Sequence, residues 1–129
     1  MPGDADPRPR PVTVLTVDDQ PVFRRTARRL LTATPGFEPI GEASSGREAL
    51  RLVSELRPDL VLLDVRMPDM NGYETARLLR RADPRPMIVL VSIEDVPGGG
   101  GPEEANARIR KQDLSVRRLQ ELWAAHDRG

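Results

Sequence analysis

The chain has no cysteine, a single lysine, a single histidine and no surplus of either charge. Each scarcity removes a class of function. Without cysteine there is no disulfide framework, no thiol nucleophile and no cysteine-based zinc site. Twenty basic residues balanced by twenty acidic ones argue against a strongly basic nucleic-acid binder or a polybasic membrane module. The longest apolar runs, LVLL and MIVLV, fall far short of the roughly 20 residues needed to span a bilayer. The N-terminus is rich in proline and arginine and lacks the apolar stretch of a signal peptide. A chain of 129 residues is the size of one ordinary domain. The expectation is a cytoplasmic, single-domain protein with no direct nucleic-acid contact and no membrane.

What remains is regular alternation. Residues 1–10 are polar and proline-rich, and read as a disordered leader. The domain is expected over 11–126, with 127–129 as a tail. VTVLTV (12–17) suits a buried strand. Val22, Phe23, Ala27, Leu30 and Leu31 then recur at helical spacing, with Arg24, Arg25, Arg28 and Arg29 on the opposite face, until Thr34-Pro35-Gly36 stops the helix. EPIGEA is a weaker strand. The next helix carries Ser45 and Glu48 at capping-box spacing and ends at Arg57-Pro58. DLVLLDV (59–65) and PMIVLVS (86–92) are continuous apolar runs of the kind found in strands covered on both faces, and YETARLLRRA is a helix between them. A short strand at 107–111 and a helix at 115–125 complete the pattern. Strands alternating with helices in this way predict an α/β fold, a doubly wound five-stranded parallel sheet with helices on both faces.

In such sheets ligands bind beyond the C-terminal ends of the strands. Those ends carry Asp18 and Asp19, Asp64, Ser92 and Lys111. Singly, each suits a turn or a helix cap. Together they bring three carboxylates, a hydroxyl and an ammonium to one edge. Two unit charges 4 Å apart repel by about 4 kcal/mol at an effective dielectric of about 20, so the carboxylates require cations. Mg²⁺, a hard ion that takes one or two carboxylates together with waters and phosphate oxygens, fits. A carboxylate beside it is a competent nucleophile toward a phosphoryl group, with Ser92 and Lys111 available to the phosphoryl oxygens.

The motifs VDDQP (17–21) and DVRMPDMNG (64–72), with Ser92 and Lys111 at the ends of the fourth and fifth strands, resemble the response-regulator receiver domains of two-component signalling. The non-proline residue after the lysine, followed by DLS, is most similar to the NarL/LuxR type. The resemblance covers roughly 11–126 and implies the flavodoxin-like, or CheY-like, fold. It implies Asp64 as phosphoacceptor, Asp19 as a direct Mg²⁺ ligand and Asp18 as the acid holding metal-bound water. Arg66 would lend its backbone carbonyl to the metal, while Ser92 and Lys111 would sense the phosphoryl group. It further implies a histidine kinase or phosphotransfer protein as partner, and output or homodimerisation through the face made by the fourth helix, fifth strand and fifth helix.

Three departures stand out. The family keeps an aromatic switch residue three positions before the lysine, and here it is Arg108, which would strand a charge if buried. Ile93 follows the switch hydroxyl where the family has a small residue, and is expected to crowd the phosphoryl site. EDVPGGGGPEEA occupies the place of the family's fourth helix. Four glycines cost roughly 4 kcal/mol in a helix, before counting Pro97 and Pro102, so that helix is expected to be shortened or replaced by a loop. Tyr73, Trp123 and His126 need no special role.

The leading reading is a stand-alone receiver phosphorylated on Asp64 with Mg²⁺ and signalling through protein contacts, with no enzyme activity beyond its own phosphorylation and dephosphorylation. The alternative is a pseudo-receiver interaction module that works without phosphate. An enzyme of the haloacid-dehalogenase type is a third class, but it places its nucleophile after the first strand in a D-x-D motif, and here the acidic pair comes first.

Overall fold

The structure, a computed structural model, describes residues 10–93 and 105–128. The elements follow the predicted alternation: β1 (Val12–Val17), α1 (Pro21–Ala33), β2 (Phe37–Ala43), α2 (Gly46–Leu56), β3 (Leu60–Asp64), α3 (Gly72–Leu79), β4 (Met87–Ser92), β5 (Ala107–Arg110), a 3₁₀ turn (Lys111–Asp113) and α4 (Val116–Arg128). The strands form one parallel sheet in the order β2-β1-β3-β4-β5. The strand order reverses between β1 and β3, the place where ligands bind in open α/β sheets.

The continuous apolar strands are explained by what covers them. Side chains alternate across a strand. Val61 and Leu63 of β3 therefore join Ala49, Val53, Ala76 and Leu79 beneath α2 and α3. Leu60 and Leu62 face the other way, toward Leu31 of α1 and Leu119 of α4. No side chain of β3 is left to solvent, and its last residue, Asp64, is itself only 7% exposed. β2 is an edge strand. Its pairing with β1 slips between Val14 and Leu15, opposite Pro39–Gly41, which is where an edge tolerates a residue that cannot donate to the ladder.

Local chemistry sets the helix boundaries. Pro21 opens α1, and Gly36, at φ +83°, makes the turn out of it and offers its carbonyl to Val12 N–H at 2.7 Å. Ser45 caps α2 by accepting from Glu48 N–H, as its spacing predicts. The return bond lands one residue early, because Glu48 accepts from Ser44 N–H rather than from the cap. Arg57 ends the helix in the left-handed region, at φ 50°.

Two details differ from the sequence reading. Val22, placed on the apolar stripe, points outward at 69% exposure, so the buried side of α1 begins at Phe23. β5 ends at Arg110, and Lys111 opens the 3₁₀ turn instead of closing the strand. A fourth helix is present in chain order, but it is α4, the element expected after the last strand. The glycine-rich stretch, with the expectation of a lost helix between 97 and 102, lies outside the described residues, as does most of the proposed leader. Arg10, the last residue of that leader, makes a two-pronged contact with Asp59, at 3.0 Å for each bond, so the expected disorder does not extend to it.

The loop after β3 is held by close backbone approach. A Cβ on Gly72 would lie 2.4 Å from the Asp64 carbonyl oxygen and 2.8 Å from Val65 Cα, both main-chain atoms with nowhere to go. Gly72→Ala is therefore expected to destabilise the fold by about 3 kcal/mol, the upper range of overpacking costs. Urea denaturation checks this, and a loss below about 1 kcal/mol would show that the approach is not a constraint.

Candidate functional site

All five residues singled out at the strand ends sit along one edge of the sheet. Asp18 and Asp19 follow β1 directly, Asp64 closes β3, Ser92 closes β4 and Lys111 follows β5. The register aligns these ends: Val17 pairs with Leu63, Asp64 with Val91, and Ser92 with Arg110.

The three carboxylates converge. One oxygen from each of Asp18, Asp19 and Asp64 lies within 4.8 Å of the others, with Asp19 exposed and the other two buried. Asp18 is fully buried, and its Oδ1 accepts from Gln20 N–H at 2.8 Å. Its Oδ2 makes no hydrogen bond of good geometry, although Lys111 Nζ stands 2.7 Å away as an ion-pair partner. The same ammonium is 4.0 Å from Asp64 Oδ1. One lysine therefore serves two buried acids and leans toward Asp18.

Asp64 feels the crowding. Burial first, then the Asp18 charge and more weakly that of Asp19, push its pKa from 3.8 up to about 6, against the pull of Lys111 and of the Arg66 backbone N–H that donates to it. A buried carboxylate cluster with an open lone pair on Asp18 and a raised pKa on Asp64 suits a small, hard divalent cation, and Mg²⁺ fits the all-oxygen donor set. The Arg66 backbone N–H reaches Asp64.

Several supporting residues were not legible as such in the sequence. Arg24, assigned to a polar face, turns inward and donates to the Asp18 carbonyl at 2.7 Å, while its Nε lies 3.5 Å from Glu42. Arg28 pairs with the same glutamate. Asp69, in the loop between β3 and α3, accepts from the backbone N–H groups of Gly46 and Arg47, each at 3.1 Å, tying that loop to the start of α2. Although a desolvation cost opposes it, these donors hold the exposed Asp69 carboxyl below its ordinary range. Asn71 caps α3 by accepting from Glu74 N–H at 2.8 Å. Phe23 lies under the ammonium of Lys111, 4.4 Å from ring centroid to Nζ.

Arg108 is half-buried, and its guanidinium lies over the Tyr73 ring at 5.6 Å. The expected stranded charge is thus met by an aromatic face, and Tyr73, read as plain rim or core, has a specific neighbour. Ile93 is 59% exposed, standing out from the strand end beside Ser92. His126 is exposed and tilts against Trp123 at 5.5 Å.

A family model described as the response regulator receiver domain matches residues 14–98. The chain belongs to that family. It is 40% identical over 85 residues to the nitrate/nitrite response regulator NarL of Escherichia coli K12, an alignment covering 66% of this chain and 39% of that protein. It is 39% identical over 82 residues to a protein-glutamate methylesterase/protein-glutamine glutaminase of Alkalilimnicola ehrlichii, covering 64% of this chain and 21% of the relative. The solved signal receiver domain of a NarL from Mycobacterium tuberculosis superposes with a TM-score of 0.82 at 30% identity, covering 94% of this chain and 99% of that one. The chain thus spans about two-fifths of NarL and about a fifth of the methylesterase. It is a receiver of the NarL/LuxR type, a signalling module. Receiver domains interact with histidine kinases or phosphotransfer proteins and typically bind Mg²⁺ through an acidic pocket, and this chain carries an Asp cluster. No helix among the described residues is long and apolar enough to cross a membrane.

The raised pKa of Asp64 has a thermodynamic consequence. The folded receiver holds this proton more tightly than the unfolded chain, so the associated stability is fully present below pH 3.8 and is lost as pH rises through about 6. The difference amounts to roughly 3 kcal/mol at most. In chelator, Asp64→Asn is expected to raise stability by about 1–3 kcal/mol at pH 8 and by almost nothing at pH 4. Paired denaturation curves at the two pH values check this, and an Asn variant no more stable at pH 8 would contradict it.

Proposed function

We propose that this receiver accepts a phosphoryl group on Asp64 from a histidine kinase, a phosphotransfer protein or a small phosphodonor, with Mg²⁺ held by Asp18, Asp19, Asp64 and the Arg66 carbonyl, and passes the signal on through protein–protein contacts. The observation that carries this reading is the convergence of Asp18, Asp19 and Asp64 within 4.8 Å beside Lys111.

The step is an in-line displacement. An Asp64 carboxylate oxygen forms the new bond to phosphorus as the bond to the donor's leaving atom breaks, and the leaving group departs with the bonding electrons. Bound Mg²⁺ would supply the positive charge that offsets the carboxylates and the phosphoryl oxygens. The chain's own groups do the rest. Asp64 must be ionised to attack, and Lys111 and the Arg66 N–H both favour that form. Lys111 moves its charge from Asp18 toward a phosphoryl oxygen on Asp64, a short path for a flexible ammonium. Ser92, one position beyond the partner of Asp64, is available to hydrogen-bond a second oxygen. Arg24 and Asp69 hold the Asp18 backbone and the loop after β3 against recoil.

A pseudo-receiver that binds partners without phosphate is the second reading. Arg108 favours it, since a guanidinium over Tyr73 replaces the aromatic side chain through which the family reports phosphorylation. Treatment with acetyl phosphate and Mg²⁺, followed by Phos-tag electrophoresis and mass spectrometry, separates the two. The expected result is one added phosphoryl group on the wild type and none on Asp64→Asn or in chelator. A wild type left unmodified by acetyl phosphate and by kinases alike would pass the site to the second reading.

A further inference from the structure

Lys111 has three neighbours, and only two of them are acids. Its ammonium is 2.7 Å from Asp18 Oδ2, 4.0 Å from Asp64 Oδ1 and 4.4 Å from the centre of the Phe23 ring, with its side chain 14% exposed. The geometry points to Phe23 as a positioning residue for phosphoryl sensing, its ring face acting as a rail along which the Lys111 ammonium travels from Asp18 to a phosphoryl group on Asp64. The inference rests on the phosphoacceptor reading and adds to it a residue outside the acidic cluster.

The placement of the ring is independent of the lysine. Pro21 at the start of α1 fixes the first turn. Phe23, two residues on, packs against the core layer formed by Val14, Leu31, Ile109 and Leu119. That packing leaves a ring face beneath the ammonium. A ring attracts a cation out to about 6 Å from its centroid. An ammonium starting at 4.4 Å therefore has room to move over an ångström toward Asp64 before it leaves the ring's field.

The ring also removes an alternative. A lysine side chain has four flexible carbons and a strongly hydrated head, and it tends to swing out to water. Phe23 adds a third contact beside the two acids, 4.4 Å from the ammonium, which favours keeping the charge in the site while it changes partners. An aliphatic side chain of similar size would keep the packing and lose the attraction.

Two measurements on the full chain decide the matter. In NMR spectra recorded in chelator, the Lys111 ε-methylene protons should lie upfield because they sit over a ring. That shift should be kept in Phe23→Tyr and lost in Phe23→Leu. Titration with beryllofluoride and Mg²⁺ should give similar affinities for wild type and Phe23→Tyr, with Phe23→Leu weaker by about three- to tenfold. Phe23→Met replaces Phe23→Leu if the latter fails to give a folded amide spectrum. Equal Lys111 shifts in wild type and Phe23→Leu, or equal beryllofluoride affinities across the series, would overturn the inference. A wild type that binds no beryllofluoride would instead overturn the phosphoacceptor reading, and with it any sensing role for Phe23, while the NMR shifts would still report the ring contact separately.

Discussion

Three carboxylates within 4.8 Å, two of them buried, face one ammonium, and this imbalance is the constraint around which the fold is arranged. Each pair of like charges at that separation repels by about 3–4 kcal/mol at an effective dielectric of 20. A loop could relieve such repulsion by moving apart. The sheet edge cannot, because Asp64 ends a strand covered on both faces and Asp18 is tied through its N–H to the Ala43 carbonyl at 3.0 Å. The surrounding contacts act in the same direction. Arg24 holds the Asp18 carbonyl, Asp69 fastens the next loop to α2, and Gly72 lets the start of α3 press against the Asp64 backbone. Stability from the core is thereby used to hold charges at a distance they would not choose.

The arginines show why position 111 is different. Three of the arginines act as a fork on a single carboxylate: Arg10 on Asp59, Arg28 on Glu42 and Arg110 on Asp113, each through two nitrogens. A planar fork suits one partner in one plane. Lys111 stands close to two acids and a ring face, inside a site that under the proposed function would also admit a phosphoryl group. A compact point charge on a flexible stem meets that demand and a guanidinium does not. The lone lysine thus stands where, under the proposed function, a basic residue would have to change partners.

The strands, the order of the elements and the five strand-end residues were legible in the sequence because each rests on local rules. Unbroken apolar runs mean strands covered on both faces, and the chemistry of α/β sheets lies at their C-terminal ends. What was not legible depends on which elements touch. Phe23 and Val22 are adjacent apolar residues in one helical stripe, yet one lies under the ammonium and the other is 69% exposed. Helical periodicity defines a face about two residues wide and says nothing of the neighbour across it. Arg24 looked like a surface charge because its partners come from the preceding loop and from β2. Tyr73 and Arg108 are a helix start and a strand residue that meet only once the sheet is assembled. In both cases the sequence supplies the residue type and the tertiary fold supplies the partner.

Under the proposed function, Lys111, which would sense phosphate, and Arg108, at the position where the family reports it, lie three residues apart in different surroundings. Lys111 begins a 3₁₀ turn whose internal tie is the Leu114 N–H on the Lys111 carbonyl at 3.2 Å, reinforced by the Arg110–Asp113 pair on the surface. A short turn fixed by so few bonds follows its first residue when that residue changes partner. Arg108 sits within β5, in register with Leu90, with its guanidinium over Tyr73. Moving it means removing a cation from an aromatic face as well as disturbing a strand, whereas the family's aromatic at this position would only rotate. Motion started at Lys111 therefore has an easier route into the turn and α4 than back along β5. Under the proposed function, a response to phosphate would accordingly be weighted toward the 3₁₀ turn and the α4 face that follows it.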